Sequence, residues 1–198
     1  EELYQSDIMN YALETLKKSR IKNIYVIGRR TPKVAKFTIA ELRELSKLIQ
    51  FQPEVDYNLN DLEEILCQDD TDTKIKKNIE VLIQFKKESC ALNKKVKFKF
   101  LSSPFKIEEN DGTKSILFKK NIIDKGKIIE TQKTELIEAG LIISAIGYRV
   151  NPINNLPIDP SKTYFLNKEG HIKDNIYTSG WASGASVGVI GSNKAGAS

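Results

Sequence analysis

Hydrophobic positions change their period several times along the chain, and each change predicts an element. Residues 6–19 place Ile8, Ala12, Leu13 and Leu16 at helical spacing, with Lys17 and Lys18 in the last turn, where cations suit a helix carboxyl end. The run Ile24-Tyr25-Val26-Ile27 then stops abruptly at Gly28. An unbroken β-branched and aromatic run of this length predicts a buried parallel strand. After a turn at Thr31-Pro32, residues 37–45 predict a helix with Thr38 as N-cap and Glu41 three residues on, a capping-box pattern. A second helix begins at Asn58 or Asn60 and runs to Cys67, and a third runs from Thr71 or Thr73 to about Leu92. Leu62, Ile65 and Leu66, then Ile75, Ile79, Leu82 and Ile83, form their apolar faces.

Strand period takes over beyond that point. Residues 96–101, 103–107, 115–121 and 126–134 predict an antiparallel meander, with Asp111-Gly112 and Lys125-Gly126 as its turns. In Lys95-Val96-Lys97-Phe98-Lys99-Phe100 the alternating lysines read as protection of an edge strand. Residues 141–145 predict a buried strand ending at Gly147, and residues 176–178 another. The order is α/β, a helical excursion, an antiparallel β insert and a return to α/β, without an internal repeat or low-complexity stretch.

Composition narrows this picture. A length of 198 residues suits one large domain or one and a half smaller ones. The longest apolar run, residues 139–146, is interrupted by Gly140 and Ser144 and is too short to cross a bilayer. Glu1 and Glu2 do not resemble the start of a secretory signal. The two cysteines, Cys67 and Cys90, form no CxxC and no metal-ligand spacing. They read as reduced, partly buried thiols of a cytosolic-type compartment. His171 sits in a polar turn without partners for a metal or nucleophile–base site, so it is assigned to the surface and no metal is expected.

The net charge of +5 is concentrated between positions 74 and 99. Lys74, Lys76, Lys77, Lys86, Lys87, Lys94, Lys95, Lys97 and Lys99 could form a solvated helix face followed by a guarded edge strand. That is the favoured reading; a nucleic-acid binder, or an electron-transfer protein with an acidic partner, would also show such a stripe. No aromatic-interleaved basic motif of an RNA-binding sheet is present, which counts against nucleic acid.

The chemistry concentrates at Arg29-Arg30. In a dinucleotide-binding βαβ unit the end of the second strand lies beside the adenine ribose, where arginine accommodates the 2′-phosphate of NADP. Guanidinium groups can fork onto one phosphate in a bidentate geometry closed to lysine. The phosphate-binding glycine loop belongs about 20 residues earlier, yet no glycine precedes Gly28. The chain is therefore read as opening inside a crossover whose first strand and loop are absent. Its end, residues 191–198, reads as a helix barely begun, so the whole is taken as an internal piece of a larger protein.

Four segments, in order, carry a resemblance. They are Ile24-Tyr25-Val26-Ile27-Gly28-Arg29-Arg30 with Pro32, Phe37-Thr38-Ile39 with Glu41-Leu42-Arg43-Glu44, Ser144-Ala145-Ile146-Gly147-Tyr148, and Ser179-Gly180-Trp181 with Gly188-Val189-Ile190-Gly191 and Asn193-Lys194. Together they resemble adrenodoxin reductase and its bacterial ferredoxin–NADP reductase relatives, end to end. The resemblance implies an α/β fold, a Rossmann-like FAD/NAD(P)-binding flavoprotein fragment with an antiparallel β insert. Residues 1–145 would form an incomplete NADP-binding domain, and residues 146–198 the returning, incomplete part of the FAD-binding domain.

It also implies site residues. Arg29 and Arg30 match the pair that holds the 2′-phosphate, and Glu41 a glutamate that contacts NADP near its reacting end. Trp181 and Gly188 match residues lining flavin and nicotinamide, and Gly188, Val189 and Ile190 the backbone along the isoalloxazine ring. The implied activity passes electrons from NADPH through FAD to an iron–sulfur ferredoxin of the adrenodoxin type, with no side chain acting as nucleophile or obligatory general acid. Nucleic acid is not an expected partner.

Two departures from the family stand out. Residues 182–185 are Ala-Ser-Gly-Ala where it usually has Lys-Arg-Gly-Pro, and Thr31 stands where it usually has glycine. Two rival functions stay open at this level. One is another FAD/NADPH oxidoreductase, such as a glutamate-synthase-type electron-input subunit. The other is a basic nucleic-acid-binding or interaction domain.

Overall fold

The computed structural model describes residues 2–88, 92–110, 113–159 and 161–184. The chain divides into two compact units, Glu1–Leu141 and Ile142–Ser198.

The first unit is built on a parallel sheet. A short 3₁₀ turn, Glu2–Gln5, leads to helix α1, Asn10–Lys17. This is shorter than the helix expected over 6–19, because Ser6 instead closes the preceding turn by donating to the Leu3 carbonyl. Strand β1, Asn23–Ile27, is the parallel strand expected but not a buried one: it pairs along one side only among the described strands, and Ile24 and Val26 are each 41% exposed. Helix α2, Ile39–Ser46, opens with the complete capping box: the Thr38 side chain accepts from Glu41 N–H, and the Glu41 carboxylate accepts from Thr38 N–H. Strand β2 covers Phe51–Asp56. Helix α3, Leu59–Cys67, is capped by Asn58, and helix α4, Thr73–Lys87, by Asp72. Strand β3, Lys94–Lys99, completes a sheet of order β1-β3-β2, parallel throughout.

Three further expectations change here. The strand over 94–99 is neither an edge strand nor part of the meander; it is the central strand of the parallel sheet. Its alternation has a different cause. Val96 and Phe98 are buried with Leu42, Val55, Leu62, Ile79, Leu82 and Phe85 in the core beneath the helices. Lys95, Lys97 and Lys99 project to the opposite face, where Lys95 pairs with Glu54 and Lys99 with Asp56 and Glu135. The second change is β2, which no expectation included because Pro53 interrupts its pattern. Proline is tolerated in edge strands, and β2 is the outer strand. The third is Cys67, expected to be partly buried, which is exposed at the end of α3. Cys90 lies outside the described residues.

The antiparallel insert forms as expected, with longer strands: β4 Ser102–Asn110, β5 Thr113–Asp124 and β6 Lys127–Glu138, in that order. The turn assigned to residues 111–112 lies outside the described residues. The other turn, Lys125-Gly126, has both residues at positive φ (47° and 75°), as a two-residue type I′ hairpin requires. Lys99 ties the insert to the parallel sheet. Only 12% exposed, its Nζ lies 2.6 Å from Asp56 Oδ2 and 2.8 Å from Glu135 Oε1, and Lys120 meets Glu135 Oε2 at 2.7 Å.

These pairs give the fold a defined pH response. The hydrogen bond from Lys99 holds the Asp56 carboxyl below its ordinary pKa. Burial pushes Glu135 up, but hydrogen bonds from Lys120 and Lys99 outweigh it and the net shift is down. Burial likewise pulls Lys99 down, but its bonds to Asp56 and Glu135 outweigh that and leave it raised. Depressed carboxyls contribute stability that is present above the unfolded carboxylate pKa and lost as pH falls through the folded values. The raised lysine contributes stability that is lost only as pH rises through its folded value. Stability should therefore fall below about pH 4, and Glu135→Gln should flatten that acid limb in urea titrations. An unchanged acid limb in that variant would show that Glu135 contributes no linkage.

The second unit is turn-rich. Its regular elements among the described residues are the ribbon β7, His171–Lys173, with β8, Ile176–Tyr177, and the short helix α5, Trp181–Gly184. Residues 141–145, expected as a buried strand, form none, and Leu141 and Ile143 are exposed. A parallel strand needs a neighbouring strand to hydrogen-bond, and no described strand pairs with this run. The expected buried strand at 176–178 is instead the exposed β8. His171 is on the surface, its ring against Tyr177 and Nε2 2.9 Å from the Asp174 carbonyl.

Candidate functional site

The arginine pair leaves the carboxyl end of β1 on a backbone held at every step. Gly28 N–H donates to the Lys99 carbonyl at 2.8 Å, and the Gly28 carbonyl accepts from Ser102 N–H at 3.1 Å. The Arg29 carbonyl accepts from the Asn121 carboxamide at 2.8 Å, and the Arg30 carbonyl from Leu101 N–H at 3.2 Å. The main chain is thus clamped from the β3–β4 connection and from β5, while both arginine side chains are exposed.

Neither guanidinium has an ion-pair partner among the described residues. The nearby Lys33 differs: its ammonium is committed to Gln68 Oε1 at 2.8 Å and to Asp70. Two exposed guanidinium groups on consecutive residues, without an ion-pair partner among the described residues, are available to an anion through charge-assisted hydrogen bonds. Among the described residues no group of His, Cys, Asp or Glu could hold a metal.

Glu41 is exposed, and its Oε2 is engaged in the capping box at 2.5 Å from Thr38 N. No ion pair joins it to Arg29 or Arg30, so the capping role is the one its contacts define. Its other carboxylate oxygen carries no partner among the described residues.

In the second unit Trp181 opens α5, directly after Gly180 at φ +59°. Its ring, 44% exposed, lies 5.4 Å from that of Tyr148 with 31° between their planes. A groove of about 240 Å³ runs between Tyr148, Arg149, Val150, Thr163, Trp181 and Ala182. The carbonyls of Ala182 and Ser183 accept from Phe165 N–H and the Asn167 carboxamide, which fixes the helix carrying the tryptophan. Gly188, Val189 and Ile190 lie outside the described residues.

Of the nine lysines at 74–99, most are already engaged. Lys87, Lys95 and Lys99 are ion-paired; Lys86 donates to the Val55 carbonyl, Lys94 to Gln50, and Lys97 lies over the Tyr25 ring. Lys74, Lys76 and Lys77, on the first turns of α4, have no such partner among the described residues, and neither does Arg43 on α2.

Sequence reasoning missed Asn121. It is 4% exposed in the middle of β5, at a register shift against β6 between Lys119 and Asn121. Its signal was an asparagine, a poor strand former, inside an otherwise strong strand.

No family model matches the chain. It is 32% identical over 202 residues to NADPH-ferredoxin reductase FprA of Mycobacterium tuberculosis, covering 97% of this chain and 44% of that protein. It is 28% identical to the mitochondrial NADPH:adrenodoxin oxidoreductase of Rattus norvegicus, covering 96% and 42%. The solved structure of Mycobacterium tuberculosis FprA in complex with NADPH superposes with a TM-score of 0.85 at 30% identity, over 98% of this chain and 45% of that one. The chain thus spans somewhat under half the length of these relatives, and the α/β fold is theirs.

Proposed function

We propose that this chain, a homologue over nearly its whole length of NADPH–ferredoxin reductases of the adrenodoxin reductase type, is part of a flavoprotein that passes electrons from NADPH through FAD to an iron–sulfur ferredoxin. Residues 1–145 carry the NADP-binding role and residues 146–198 the returning part of the FAD-binding domain. The observation that carries this reading is the unneutralised arginine pair on a clamped backbone at the carboxyl end of a parallel strand. That donor set fits a 2′-phosphate: two guanidinium forks, exposed, with no ion-pair partner among the described residues.

Arg29 and Arg30 hold the 2′-phosphate, and the free carboxylate oxygen of Glu41 is available to a more distant part of the same dinucleotide. Trp181, with Tyr148 beside it, offers a half-exposed aromatic wall of the kind a flat ring system packs against. Gly188, Val189 and Ile190 supply backbone to the flavin. A bound flavin supplies the redox chemistry between a two-electron donor and a one-electron acceptor. Lys74, Lys76 and Lys77, with Arg43, present the positive surface to an acidic ferredoxin. The compartment that suits these partners is a bacterial cytoplasm or a mitochondrial matrix.

Ferredoxin reduction by the full-length protein tests the reading. NADPH should support it and NADH should not. Reversing Lys74, Lys76 and Lys77 to glutamate should slow ferredoxin reduction at low ionic strength while reduction of a small neutral acceptor is unchanged. Equal use of NADH and NADPH would sink the assignment of the arginines. An unaffected ferredoxin rate would leave those lysines as a solvated helix face.

A further inference from the structure

We propose that Asn121 is a positioning residue for dinucleotide selectivity, and that the antiparallel insert serves to hold the arginine pair in place. The inference rests on the assignment of Arg29 and Arg30 to a 2′-phosphate and adds what sets their geometry. Asn121 lies ninety-two positions from Arg29 in sequence and touches neither guanidinium. Its carboxamide nitrogen donates to the Arg29 carbonyl at 2.8 Å and lies 2.8 Å from the Ser103 hydroxyl, while its own N–H donates to the Leu101 carbonyl at 2.7 Å.

Leu101 in turn donates to the Arg30 carbonyl and has φ +53°, the left-handed region unusual for leucine. One side chain therefore stands at the junction of the β3–β4 connection, β4, β5 and the arginine loop. Its orientation is set by chemistry, since only the NH₂ end can serve a carbonyl acceptor. The oxygen end, Oδ1, is buried without a hydrogen-bond partner among the described residues. A buried amide oxygen left unpaired is costly, and the geometry retains it so that the nitrogen can reach Arg29.

The β5–β6 register shift at this point is part of the same device, because a bulge re-aims a side chain out of its regular alternation. Without the Asn121 bond the Arg29 carbonyl loses its clamp. Two guanidinium forks then no longer share one fixed backbone, and bidentate binding of one phosphate depends on that fixity.

The test is calorimetric binding of 2′,5′-ADP and of 5′-AMP to the full-length protein. The variants are Asn121→Ala, Asn121→Asp, which keeps the shape but offers no NH₂ donor, and Arg29→Ala as reference. Both Asn121 variants should weaken 2′,5′-ADP roughly tenfold with 5′-AMP unchanged, in the same direction as Arg29→Ala. If Arg29→Ala loses 2′,5′-ADP affinity and folded Asn121 variants do not, the positioning role is overturned while the arginine assignment stands. If Arg29→Ala loses nothing, that assignment fails and the proposal fails with it. Should neither Asn121 variant fold, Ser103→Ala frees the carboxamide on one side. A smaller, selective loss of 2′,5′-ADP affinity then supports the proposal, and an unchanged ratio of the two ligands overturns it.

Discussion

Replacing Arg29 and Arg30 together by alanine is expected to cost at least about 3 kcal/mol of NADPH binding, taking about 1.5–3 kcal/mol for each charge-assisted hydrogen bond lost. That is a factor of roughly a hundred or more in dissociation constant. NADH, with a hydroxyl where the 2′-phosphate would be, should bind the double variant as it binds the parent. The size of the effect follows from the isolation of the pair. Were either arginine bridged to an internal carboxylate, phosphate would have to displace that partner and the net loss on mutation would be small. Neither is bridged among the described residues. The stability of the unit should barely change, because the carbonyls of Gly28, Arg29 and Arg30 carry the loop's hydrogen bonds and alanine retains them. Equilibrium titration of both dinucleotides checks this; parallel losses for NADPH and NADH would point to a collapsed loop rather than a lost phosphate contact.

The existence of the strand before that pair, though not its exposure, the capping box of α2 and the extent of α3 were legible because each is written in a few neighbouring residues. Thr38 and Glu41 form a local pair, and their hydrogen bonds appear as the pattern demands. What could not be read was set by partners distant in the chain. The lysines of β3 alternate as they would on a guarded edge, and only the contacts with β2 and β6 show that Glu54, Asp56 and Glu135 pair with Lys95 and Lys99 on a central strand. Pro53 concealed β2, since its tolerance depends on lying at the sheet margin. The run 141–145 is apolar enough for a strand, but a strand also needs a neighbour. Asn121 is the clearest case, because its meaning lies in a contact to Arg29 that no local pattern encodes.

The flavin side of the assignment depends on Trp181 and Gly188, and the two make separable demands. Trp181→Ala removes the ring that lies against Tyr148 but leaves the backbone bonds that fix α5. The protein should stay folded while the spectrum of its bound flavin shifts. The resemblance assigns Gly188 to the lining of both the flavin and the nicotinamide, and the proposed function takes it in that role. If it has that role, a side chain there collides with one of them, since glycine is what permits close approach of backbone to a ligand. Gly188→Val should therefore slow flavin reduction by NADPH, with a loss of about 2–4 kcal/mol in transition-state stabilisation, since small displacements of reacting partners carry costs of this order. If both residues were merely structural, the variants would lose stability, and the folded, FAD-saturated fraction would still be reduced at the parental rate. Stopped-flow reduction of FAD-saturated protein separates the cases, and a parental rate in Gly188→Val would reject the assignment of that residue.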